Sequence, residues 1–185
     1  MDFELVTSTL LRKFEEQRIQ YAVIGGFALG FWGVTRSTID MDFLLLLDDF
    51  ERAERILSEY EYRPVHKTAN VAQYVSNRVP YGGIDIILAF REISKSMLQR
   101  SVIIEVSRDV KVKTLIPEDI IGLKIQAMNN DPDRSAKDFA DIEALLSSRV
   151  SSNAAIDWEL LTDYFELFDQ TDLLNQLKEK YDQAK

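Results

Sequence analysis

The chain has no cysteine among its 185 residues, which excludes disulfides, thiolate-held metal clusters and a thiol nucleophile. That absence fits a reducing compartment. Histidine is almost missing as well: His66 is the only one. A zinc site built on His and Cys is therefore excluded in practice. A Ser-His-Asp relay would have to use His66, in a loop-like stretch with no nucleophile elbow nearby. Long apolar runs are also lacking, since "FLLLL" at 43–47 is far too short to cross a bilayer. The charged opening "MDFELVTSTLLRKFEEQ" has no apolar core of the kind a secretory signal needs. A soluble, cytoplasmic protein with no membrane partner is expected. Positive charge is in deficit, with 22 Lys and Arg against 31 Asp and Glu, net −9. This disfavours a broad surface for non-specific nucleic-acid binding, though a local basic pocket is compatible with it.

What is present is enough apolar material, 46% of residues, to build a core. The default is one compact domain with a helical appendage. Residues 3–19 space Leu5, Leu10, Leu11 and Phe14 as an amphipathic helix. "YAVIGG" reads as a short strand ending in a glycine break, "FALGFWG" as a short helix, and "TIDMDFLLLL" as a central strand. Asp48 and Asp49 stand at the N-cap of a helix "FERAERILSEYEY". "VAQYVSN", "GIDIILAF" and "SVIIEVS" read as strands, with "VKVKTLI" a candidate fourth. From Pro117 the pattern turns helical, through "PEDIIGLKIQAMNN", "SAKDFADIEALLSS", "DWELLTDYFELF" and "TDLLNQLKEKY". The expected fold class is α+β, a mixed sheet with flanking helices over 1–116 followed by a helical part over 117–185.

The chemistry concentrates in three acids. Asp40 and Asp42 are two residues apart on one strand, so their side chains share a face while Ile39, Met41 and Phe43 take the other. Two carboxylates that close repel, and partial burial adds to the cost. A divalent cation offsets both effects most directly, and paired oxygen ligands completed by substrate phosphates are the usual donor set for Mg²⁺. Asp85 lies inside another apolar strand, "GGIDIILAF". If that strand lies beside the first, the three acids can surround one or two ions. Strand-edge acids that face solvent or pair with Arg36 are the ordinary alternative.

Gly25 and Gly26 close the first strand ahead of a helix, where the missing Cβ permits a tight turn and lets backbone N–H groups approach a phosphate. The same dipeptide is often only a turn. It matches neither a P-loop nor a dinucleotide fingerprint.

Taken together, "VIGGFALGFWGVTRSTIDMDFLL" resembles the signature of the minimal nucleotidyltransferase superfamily, of DNA-polymerase-β-like fold, and Asp85 in "IDIIL" matches its third acid. With "PEDIIGLKIQAM" and "DRSAKDFADIEALL", the stretch from Tyr21 to Leu146 is similar to the abortive-infection, AbiEii-like toxin nucleotidyltransferases. The resemblance implies a nucleotidyltransferase fold and transfer of an NMP from an NTP to a hydroxyl. Asp40, Asp42 and Asp85 would be catalytic and would hold Mg²⁺ or Mn²⁺. Gly25, Gly26, Arg36, Lys124, Lys137 and Asp138 would bind the nucleotide, Asp138 by orienting Lys137 or touching the sugar. Arg134 is a weaker candidate. The implied acceptor is an RNA end such as tRNA, a protein or a small molecule, and a toxin–antitoxin setting would add an antitoxin as partner. A catalytically inactive nucleotide-binding or protein-interaction module on the same fold is the competing expectation.

Other signals fail on their own terms. "DPDRSAKDFADI" opens like a calcium loop, but Ala136 takes the glycine position and Ile142 the closing ligand position. Phe27, Phe31 and Trp32 could stack on a base, with core packing as the expected role. Trp158, Tyr164, Phe165 and Phe168 read as the inner face of a late helix.

Overall fold

The structure, a computed structural model, describes residues 1–108 and 110–181, so residues 182–185 of the expected helical part lie outside the described residues. The chain divides into two compact units, Met1–Phe31 with Arg36–Leu115, and Trp32–Thr35 with Ile116–Lys185. The mixed sheet with flanking helices is as expected.

The first unit is built on a seven-stranded sheet in the order β3-β4-β5-β2-β1-β7-β6. Its strands are β1 (Tyr21–Ile24), β2 (Asp40–Leu46), β3 (Tyr62–Lys67), β4 (Val71–Ser76), β5 (Gly83–Ala89), β6 (Val102–Ser107) and β7 (Val110–Thr114). β2 is central, pairing antiparallel with β1 and parallel with β5. Its alternation explains why: Met41, Phe43 and Leu45 are fully buried on one face, while Asp40 and Asp42 are half-buried on the other. The core on the Phe43 face is closed by helices α1 (Phe3–Val6) and α2 (Arg12–Glu16), joined by a wider π turn at Thr7–Leu11, and by α4 (Phe50–Glu59). Phe14, Tyr21 and Phe43 meet there with ring centroids 5.3–5.9 Å apart.

α3 (Gly25–Phe31) follows β1, and α5 (Glu92–Arg100) follows β5. Phe27 and Phe31 pack against Phe3, at 5.1 and 5.8 Å, so these rings are core rather than a base platform. Asp49 does occupy the N-cap position of α4, but its side chain makes no cap bond. Its carboxylate instead accepts the Gln20 N–H at 2.7 Å and pairs with Arg52.

The second unit is helical: α6 (Pro117–Asn130), α7 (Ser135–Ser151), α8 (Trp158–Leu167) and α9 (Thr171–Tyr181). Pro117 is at the first turn of α6, as its missing N–H favours. The acids behind it are buried and bonded. Glu118 accepts the Asp157 N–H at 3.1 Å, and Asp119 accepts the Tyr164 hydroxyl at 2.5 Å. Tyr164 and Phe165 are buried as the α8 pattern requires, with Trp158 and Phe168 half-buried beside them. Among the described residues, no helix is long and apolar enough to cross a membrane.

Candidate active site

Strand register decides the central question of the site. β2 and β5 are parallel neighbours with Asp42 opposite Asp85 and Asp40 opposite Gly83. Opposed residues point to the same face, and adjacent strands lie about 4.8 Å apart. Two carboxylates forty-three positions apart in sequence are thereby held side by side, each half-buried. Burial pushes the Asp85 carboxyl above its ordinary range, the charge of Asp40 adds to this, and a hydrogen bond from Gln73 opposes it.

Asp40 is one step along the same face. Its Oδ1 accepts the Gly83 N–H at 3.1 Å, and a Cβ at Gly83 would lie only 2.9 Å from its Cγ. The expected three-acid cluster is thus a register pair plus a third acid turned to the neighbouring strand. Among the described residues, no three His, Cys, Asp or Glu side chains are arranged to hold one ion. The pair itself fits a divalent cation: two oxygen-donor side chains on one face, with remaining positions left to substrate oxygens, suit Mg²⁺.

The glycines serve the acids directly. Gly25 has φ +64°, and a Cβ there would sit within 2.5 Å of the Asp42 Cγ. At Gly26 a Cβ would lie 2.7 Å from the Cβ of Thr38, whose hydroxyl donates to the Asp40 carbonyl at 3.0 Å. The tight turn therefore makes room for the β2 acid and for the segment that leads into it. Arg36 belongs to that segment and is half-buried.

In the second unit, Lys124 is buried, and its ammonium donates to Asp138 at 2.7 Å and to Asp141 at 2.6 Å. Asp138 thus bonds Lys124, on the neighbouring helix, while Lys137 is exposed. The second oxygen of Asp138, Oδ2, is buried without a hydrogen-bond partner, and Arg134 approaches it only to 3.6 Å. Sequence reasoning missed Asp141, although its three-residue spacing from Asp138 was a usable signal for one helix face. It missed Gly83 too, despite a second Gly-Gly two residues before Asp85. Gln73 could not have been found without the register.

No curated protein matches the sequence. Among solved structures, the antibiotic-resistance factor ANT(2'')-Ia superposes with a TM-score of 0.65 at 16% identity, covering 97% of this chain and 99% of that one. An antigenic nucleotidyltransferase-like protein from Paracoccidioides brasiliensis gives 0.58 at 20% identity over 96% and 92%. The lincosamide antibiotic adenylyltransferase LnuA gives 0.52 at 17% identity over 75% and 93%. These likenesses establish a nucleotidyltransferase fold. Residues 9–184 match the family model described as nucleotidyl transferase AbiEii toxin, type IV toxin–antitoxin system, and the chain belongs to that family.

Proposed function

We propose that the protein is an active, metal-dependent nucleotidyltransferase that moves an NMP from an NTP to a hydroxyl acceptor, as the toxin of a toxin–antitoxin pair. The observation that carries this is the register of Asp42 against Asp85, on one open face beside the Gly25 turn. A divalent ion held by Asp42 and Asp85, with Asp40 beside them, would bind the triphosphate and offset charge developing at the α-phosphate.

The chain's own groups have separable tasks. Asp85, with its carboxyl raised by burial and by Asp40, takes the proton of the attacking hydroxyl. Gln73 holds the Asp85 carboxylate against the strand. Gly25 and Gly26 support the triphosphate through the backbone N–H groups of their turn. Arg36 supplies positive charge for the departing pyrophosphate. Lys124, Lys137 and Asp138 enter this reading on the resemblance alone. The charge of Lys124 is already matched by two carboxylates.

The test is label transfer from each α-labelled NTP, with Mg²⁺ or Mn²⁺, to tRNA, lysate protein or small molecules. Asp42→Asn/Asp85→Asn is the control. Transfer by the wild type and none by the control supports the enzyme. NTP binding without transfer across all acceptors would establish an inactive binding module instead. A protein that binds neither metal nor NTP would overturn both readings.

A further inference from the structure

The row of paired residues that contains Asp42 and Asp85 does not stop at β5. β4 places Gln73 opposite Asp85, and β3 places His66 opposite Gln73. The next row runs Asp40, Gly83, Val75, Arg63. All of these side chains share one face of the sheet. Gln73, Val75, His66 and Arg63 are exposed, so this face is open from the acids to the sheet edge.

Its charge differs from that of the rest of the molecule. β3 and β4 carry Arg63, His66 and Lys67 and no acid, in a chain of net charge −9. Lys67 is engaged on the opposite face, where it pairs with Glu54 at 2.8 Å. Arg63 and His66 are left as the cationic and donor groups of the open face, His66 two strand spacings, roughly 10 Å, from Asp85 and Arg63 three, roughly 14 Å, from Asp40. Between them stands Gln73, which already touches Asp85.

We infer that this face is the acceptor platform, and that it takes a phosphate carried next to the attacking hydroxyl, with Arg63 and His66 as its ligands. The inference rests on the nucleotidyltransferase reading for its direction, since a hydroxyl at Asp85 puts the acceptor's neighbouring group over Gln73 and toward the β3 edge. The Arg63 guanidinium suits a phosphate oxygen by charge and by its donor fork, and the His66 imidazole as a hydrogen-bond donor. Phosphate next to a hydroxyl occurs in two sources, the phosphodiester of an RNA 3′ end and the monoester of a mononucleotide.

The full chain is titrated calorimetrically with a short single-stranded RNA ending in a 3′-hydroxyl, with a nucleoside 5′-monophosphate, and with the same nucleoside lacking phosphate. Each ligand is also run against Arg63→Gln/His66→Gln. Expected is binding of a phosphate-bearing ligand, weakened roughly tenfold in the double variant. For RNA the salt slope should fall by about one. RNA binding much tighter than the monophosphate assigns the phosphodiester source, and equal binding assigns the monoester. Unchanged affinity in the double variant overturns the inference, as does equally good binding of the bare nucleoside or binding of none of the three. NTP with Mg²⁺, read by thermal shift, should be bound equally by wild type and variant. Failure of the wild type there would sink the nucleotidyltransferase reading separately from the phosphate result.

Discussion

Gly25 and the Asp42 carboxylate occupy each other's space: a Cβ on the glycine would come within 2.5 Å of Asp42 Cγ and 2.8 Å of its Cβ. The glycine is also at φ +64°, where a side chain costs about 1–2 kcal/mol by itself. Gly25→Ala should therefore lose that backbone cost and about 1–3 kcal/mol more from overpacking. A urea-denaturation cycle with Asp42→Gly separates the two parts. In the Asp42→Gly background the alanine should cost only the backbone share. An equal cost in both backgrounds would show that Asp42 is not what the glycine accommodates.

Asp85 yields a prediction with opposite signs for stability and activity. Its folded carboxyl titrates above its ordinary range, mainly because of burial. The protonated form is thus the one the fold favours. The stability it contributes is complete below the unfolded value and is lost as pH rises through the raised folded value. In metal-free buffer at neutral pH, Asp85→Asn should be more stable than wild type, and the gap should close on acidification to about pH 4 or below. Label transfer should fall by about 10²–10⁴ in the same variant, the usual worth of a positioned base. A variant less stable than wild type at neutral pH would contradict the assignment of the shift.

How much of this was legible beforehand depended on which residues carry local signals. Asp40, Asp42 and Asp85 stood out because acids interrupt apolar strands, and alternation alone put the first two on one face. β3 was not legible: "YRPVHK" holds a proline and three basic or imidazole side chains, and as an edge strand it buries only Tyr62. Missing it left His66 in an apparent loop and hid the row through Gln73. Register is non-local and appears only once strands pair. The pairing of Lys124 with Asp138 and Asp141 was hidden for the same reason, since it joins two helices.

Lys124 places its ammonium between two buried carboxylates of the second unit. Lys124→Met removes an ammonium that is hydrogen-bonded to both acids and leaves them buried without it, which should cost about 3–5 kcal/mol. Asp138→Asn is the contrasting case. It keeps an oxygen for Lys124 while removing a surplus negative charge whose Oδ2 has no hydrogen-bond partner. Its cost should be small, within about 1 kcal/mol of wild type. Chemical denaturation of the two variants checks the order, and equal losses would contradict it.

Gly122 poses a contest of magnitudes inside α6. Glycine in a helix interior is about 1 kcal/mol worse than alanine, so propensity alone makes Gly122→Ala stabilising. The Tyr164 ring decides otherwise, because a Cβ at 122 would lie 2.8–2.9 Å from three of its carbons. That ring cannot simply retreat, since its hydroxyl is bonded to the fully buried Asp119 at 2.5 Å. Moving it costs about 1–3 kcal/mol in packing and strains a bond to a charged acceptor worth about 1.5–3 kcal/mol. Gly122→Ala should therefore be destabilising by about 1–3 kcal/mol. In a Tyr164→Leu background, where the ring and its bond are gone, the same substitution should turn neutral or stabilising. Thermal denaturation of the four proteins reads the sign change, and a glycine-to-alanine cost that persists without the ring would mean that α6 is constrained by something other than Tyr164.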